Sequence, residues 1–177
     1  SIKYKKIKQE RIPGSLTIMT DQDFFFDFLD KTKNQDRNYT QGTAFTYSHP
    51  NLMNSFLFWP QQKFDRWLDF EQYGSSISLA GTAFTPLDLD STKPIVGDRP
   101  FSFLLYVSTS ATVKNIKYKL PRFHTLSINY GLFGTNIGYA FQTYAHKQLV
   151  TGRSKDPKGW NTQISKGGAP TLLIDYN

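Results

Sequence analysis

Ser75-Ser-Ile-Ser-Leu-Ala-Gly-Thr-Ala-Phe84 alternates polar and apolar side chains along most of its length. In an extended chain successive side chains point to opposite faces, so this stretch reads as a strand with one polar and one apolar face. Ser15-Leu-Thr-Ile-Met-Thr20 and Gly42-Thr-Ala-Phe-Thr-Tyr-Ser48 repeat the pattern, and further strands are read at Phe101 to Ser110 and near Thr125-Leu-Ser-Ile-Asn-Tyr130. The chain ends on a further short run, Thr171-Leu-Leu-Ile-Asp-Tyr176. About seven or eight such strands are expected, with Gly, Pro and Asp between them marking turns. Residues 139–150 place Ala and apolar residues at helical spacing and are the best helix candidate; everything else reads as strand or loop. The loop from Asp21 to Tyr39 carries Phe24-Phe-Phe-Asp-Phe-Leu29, for which a short helix and a lipid-facing segment both remain open.

Fifteen Phe and ten Tyr raise the aromatic share to 16%, while the mean hydropathy is negative. Short strands with one wet and one apolar face, and Tyr and Trp at water–lipid boundaries, produce that mixture. The longest apolar runs, Phe24 to Phe28, Phe56 to Pro60 and Phe101 to Val107, fall far short of the roughly 18 residues of a membrane-spanning helix. If the chain crosses a membrane, it does so with tilted antiparallel strands that close on themselves. The absence of Cys excludes disulfides, Cys-ligated zinc and thiol nucleophiles. The chain opens at Ser1 without a leader, as a processed mature chain or an excised piece would. A net charge of +7, beginning with Lys3, Lys5, Lys6, Lys8 and Arg11, favours an anionic partner, and phosphorylated lipid is preferred because no nucleic-acid-binding motif accompanies the charge.

Gln142 and His146 are four residues apart, which sets both on one face of a helix or of a strand. An imidazole and an amide there can converge on one bound group, although an isolated His is as readily a satisfied structural residue. The preceding Gly131, Gly134 and Gly138 point to tight turns or close backbone approach; the Lys-Ser/Thr tail of a nucleotide-binding loop is missing.

Further landmarks run in order along the chain: Thr20-Asp21; Asp36-Arg-Asn-Tyr-Thr40-Gln-Gly42; Phe84-Thr-Pro86; Asp98-Arg-Pro-Phe101; Gly131-Leu-Phe-Gly134; Gln142 and His146; and Gly159-Trp160 with Gln163. Together they resemble the bacterial outer-membrane lipid A deacylases of the LpxR family. The resemblance implies an all-β, twelve-stranded antiparallel barrel in the outer membrane, with a site between the barrel wall and a short helix near the extracellular rim. At 177 residues the chain is too short for the whole family pattern, so a single barrel domain, incomplete at its C-terminus, is expected.

The implied activity is a calcium-dependent esterase that removes the 3′-acyloxyacyl chain of lipid A. By position, His146 would be the general base on water and Gln142 a neighbour positioning substrate or water. Thr40, Asp21 and Asp23 would supply oxygen groups around calcium, and Lys93 and Arg99 would meet a lipid phosphate. Taken alone, Asp21 and Asp23 read equally as a solvated pair at a strand end, Thr40 as a β-former, Lys93 as a surface charge and Trp160 as a packing or interfacial anchor. Two positions depart from the family pattern: Thr20 stands where Asn is usual, and Lys147 to Lys155 contains no acid where a Glu is usual. The departures support a second reading, a non-catalytic barrel subunit associated with other outer-membrane proteins.

Overall fold

A computed structural model gives the fold and describes residues 13–22, 41–68, 70–86, 88–115, 120–149 and 157–177. Six strands form one sheet: β1 (Ser15–Gln22), β2 (Gln41–Ser48), β3 (Glu71–Phe84), β4 (Ser102–Asn115), β5 (Arg122–Phe133) and β6 (Ala169–Tyr176). Each pairs antiparallel with the next in chain order. The sheet is open among the described residues, with β1 and β6 at its edges. The five segments read as strands and the C-terminal run fall on these strands, Phe101 alone lying just ahead of β4. The expected count of seven or eight exceeds the six described.

The register explains why alternation was so persistent. Ser15, Ser48, Ser76, Ser110, Ser127 and Asp175 follow one another across the sheet and share a face. On that face Thr46 and Ser78 hydroxyls lie 2.7 Å apart, Ser127 Oγ donates to Ser110 Oγ at 2.9 Å, and Asn129 Nδ2 donates to Asp175 Oδ2 at 2.9 Å. Ile18, Phe45, Leu79, Val107, Tyr130 and Leu172 form the corresponding row on the other face. Ile18 remains 63% exposed and Leu172 58%, which is the outward apolar band of a sheet made to face lipid. No helix among the described residues is long and apolar enough to cross a membrane.

Two helices dock on the apolar face, one near each end. At the first end, 3₁₀ turns at Pro50–Asn54 and Phe56–Phe58 lead into α1 (Trp59–Leu68). His49 Nδ1 accepts the Asn51 N–H at 3.0 Å, capping the first turn, and Pro50 supplies the fixed φ of a helix start. Phe58 is fully buried with Met53 and the β4 residue Ala111. Gln61 Nε2 donates to Thr109 O at 2.9 Å and to Thr109 Oγ1 at 2.7 Å. The α1 segment corrects the expectation that everything outside 139–150 is strand or loop. Its signal was weak because a buried Gln and exposed Trp reverse the usual inside–outside order.

At the opposite end, α2 (Ile137–Leu149) occupies the expected helical segment to within two residues. The two ends also differ in their connections. Residues 23–40, 85–101 and 134–168 make the links at the α2 end, while the α1 end carries one long link, residues 49–70, and one short one, residues 116–121.

Candidate functional site

The rim site is built around a Trp that joins α2 to the wall. Trp160 stands in the 3₁₀ turn Gly159–Thr162 and is buried against Phe101, ring centroids 5.1 Å apart. Its Nε1 donates to Oε1 of Gln142 on α2 at 2.7 Å, and both residues are buried. A buried indole N–H and amide left unpaired would each cost about 1–3 kcal/mol, so this bond fixes the helix's seat. Two glycines make the approach possible. A Cβ on Gly138 would lie 2.7 Å from Phe103 and from Trp160, and one on Gly159 would lie 2.3 Å from the Phe101 ring.

Main-chain bonds pin the surrounding loops to the same place. Gly134 N–H donates to Phe103 O at 2.7 Å, Ile164 N–H to Phe101 O at 3.0 Å, and Lys158 N–H to Leu89 O at 2.9 Å. The Lys158 ammonium lies 3.5 Å from Asp90 Oδ1. Gln163, 5% exposed, reaches Asn136 Oδ1 with its Nε2 at 3.5 Å. Its Oε1 is buried with no hydrogen-bond partner, as are Thr135 Oγ1 and Thr143 Oγ1. These atoms leave hydrogen-bonding capacity beneath and beside α2. Sequence reading had placed Gln163 only as a landmark, because its burial comes from the fold and not from local spacing.

The expected site residues reach this rim by different routes. His146 follows Gln142 by one turn of α2; its side chain lies outside what the structure describes, as do all α2 side chains from Ala145 onward. Arg99 is half-buried in the β3–β4 connection, where its Nε donates to Thr85 O at 2.7 Å and its backbone N–H donates to Asp98 Oδ1 at 2.8 Å. Lys93 is exposed in the same connection, its carbonyl accepting the Ser91 hydroxyl at 2.8 Å. Asp21 is exposed near the rim end of β1. Three strand steps, roughly 14 Å, separate β1 from β4, and β4 is the strand on which α2 docks. Thr40 and Asp23 lie outside the described residues.

For calcium the described donors are a poor match. The ion takes six to eight oxygen ligands, several of them anionic, and Asp21 contributes one exposed carboxylate. Among the described residues no three His, Asp or Glu side chains group to hold a metal.

A sheet with one hydroxyl face and one apolar face, long loops at one end and a helix clamped at that rim defines a β-barrel protein of the outer membrane. The family model described as outer membrane protein LpxR matches residues 7–176, nearly the whole chain. The chain belongs to the LpxR family, and its place is the outer membrane. Neither a curated protein nor a solved structure gives a match.

Proposed function

We propose that the chain is a lipid A deacylase of the outer membrane, hydrolysing the 3′-acyloxyacyl ester with a water activated by His146. The observation that carries this reading is the Gln142–Trp160 bond, which holds α2, and with it the backbone of His146, at one rim of the sheet; that rim would be the extracellular one. Lipid A occupies the outer leaflet, so an ester beside the rim comes to the helix without leaving the membrane. The imidazole takes a proton from water as the oxygen attacks the ester carbonyl. Collapse of the tetrahedral intermediate expels the sugar 3′-alkoxide, which receives that proton from the imidazolium, leaving the acyloxyacyl chain as a free acid and the sugar with a 3′-hydroxyl. Gln142 acts as the positioning residue of α2. Arg99 and Lys93 in the neighbouring connection supply positive charge for the lipid phosphates. Thr40, Asp21 and Asp23 would supply oxygen groups to a cation.

The test is mass spectrometry of lipid A incubated with detergent-purified protein, with His146→Ala and a chelator as parallel arms. Loss of an acyloxyacyl mass with the parent protein and not with His146→Ala supports the deacylase. If chelation also stops it, calcium joins the site. Unchanged lipid A, with the β-sheet intact by circular dichroism, overturns the deacylase in favour of a non-catalytic barrel subunit. The acid-free stretch Lys147 to Lys155 is what favours that second reading.

A further inference from the structure

We infer that the outward face of α1 is a docking surface for anionic phospholipid headgroups. At about 100° per residue, Trp59, Lys63, Arg66 and Trp67 fall within one narrow arc of this helix. All four are exposed, Trp67 by 80% and Trp59 by 60%. The opposite side is committed to the sheet. Gln61 bonds Thr109, and Phe64 packs edge-on against Tyr176 at 5.6 Å. Phe58, in the turn just ahead, is fully buried. The only acid of the helix, Asp65, lies on the committed side.

Such a face has little reason to meet bulk water. Two indoles bracketing two cations match the boundary layer of a bilayer, where the rings sit among headgroups and the cations reach anionic phosphates. Phe56, 83% exposed, and Leu57, 39% exposed, extend the apolar part into the turn before the helix. The location agrees with the chemistry. The α1 helix lies against the outward apolar face at the end of the sheet opposite α2, where the barrel wall meets the bilayer surface. The charge complementarity selects anionic over zwitterionic lipid, because each Lys or Arg gains attraction only from a negative surface.

The chain has no Cys, so Phe56→Cys can carry a single environment-sensitive dye. The labelled full chain is reconstituted into vesicles of phosphatidylcholine alone or with one part in three phosphatidylglycerol. Both leaflets then carry the same lipid, and insertion direction does not matter. A blue shift of the dye that is larger with phosphatidylglycerol, and is lost in Lys63→Gln/Arg66→Gln, is the expected result. Equal emission in both vesicles overturns the inference, and so does a shift that survives the double substitution. Both substituted side chains are exposed, and circular dichroism confirms the sheet. No lipid A is present, so the outcome is independent of whether the chain is a deacylase.

Discussion

Trp160 and Gln142 show how much of the site rests on single atoms. Trp160→Phe keeps the ring packed on Phe101 but removes the donor, leaving Gln142 Oε1 buried without its partner. The expected cost is about 1–3 kcal/mol, read as a lower unfolding midpoint together with loss of lipid A hydrolysis. Adding Gln142→Met removes the stranded amide, so the double variant should be more stable than the sum of the two singles predicts. Strict additivity would sink the coupling. Gly138→Ala makes a sharper case. In a helix interior Ala is favoured over Gly by about 1 kcal/mol, yet here the added Cβ would lie 2.7 Å from both Phe103 and Trp160. The variant should therefore lose activity while the sheet stays folded. An active, more stable Gly138→Ala would show that α2 is not seated as described. The 142/146 spacing was legible in sequence because it is local. The pairing with Trp160 was not, since the two residues lie 18 positions apart and only the loop's return brings the indole to the helix.

Among the elements, strands were the easiest to read and α1 the hardest, for one physical reason. A strand that separates lipid from a hydroxyl-lined interior tends to alternate, and β5 does so throughout Thr125–Tyr130 and β3 along most of Ser75–Phe84. Their ends were less visible: β3 begins at Glu71, earlier than Ser75, across an irregularity between Gln72 and Gly74. The α1 helix hides because its two faces meet unusual surroundings, a buried Gln on the wall and exposed Trp outside. What seats the helix is Phe58, fully buried among Met53, Ala111 and Leu52. Phe58→Ala should cost about 3–5 kcal/mol by lost burial and cavity formation. Hydrogen exchange should then accelerate in α1 before β3 or β4, because those strands keep their ladders on both sides. Uniform acceleration across the sheet would mean that α1 and the sheet form one cooperative unit.

At the scale of the whole molecule, the decisive property is which face of the sheet meets lipid, since the rim site and the α1 surface both derive their setting from it. Val107 and Ser108 are adjacent on β4 and separate the alternatives. Val107 belongs to the apolar row between Leu79 and Tyr130, and Ser108 to the hydroxyl face between Ser78 and Asn129. A charged side chain facing the hydrocarbon costs about 2–4 kcal/mol near the midplane, whereas the same charge in a polar lumen is hydrated. Val107→Arg should therefore lower the urea-unfolding midpoint in lipid strongly and Ser108→Arg weakly, although serine is the smaller residue and is the more crowded by the change. In a water-soluble sheet the order would reverse: an exposed Val107, 37% accessible, would accept Arg readily, and the packed hydroxyl row would not. The sign of the difference between two neighbouring substitutions thus fixes the orientation of all six strands at once.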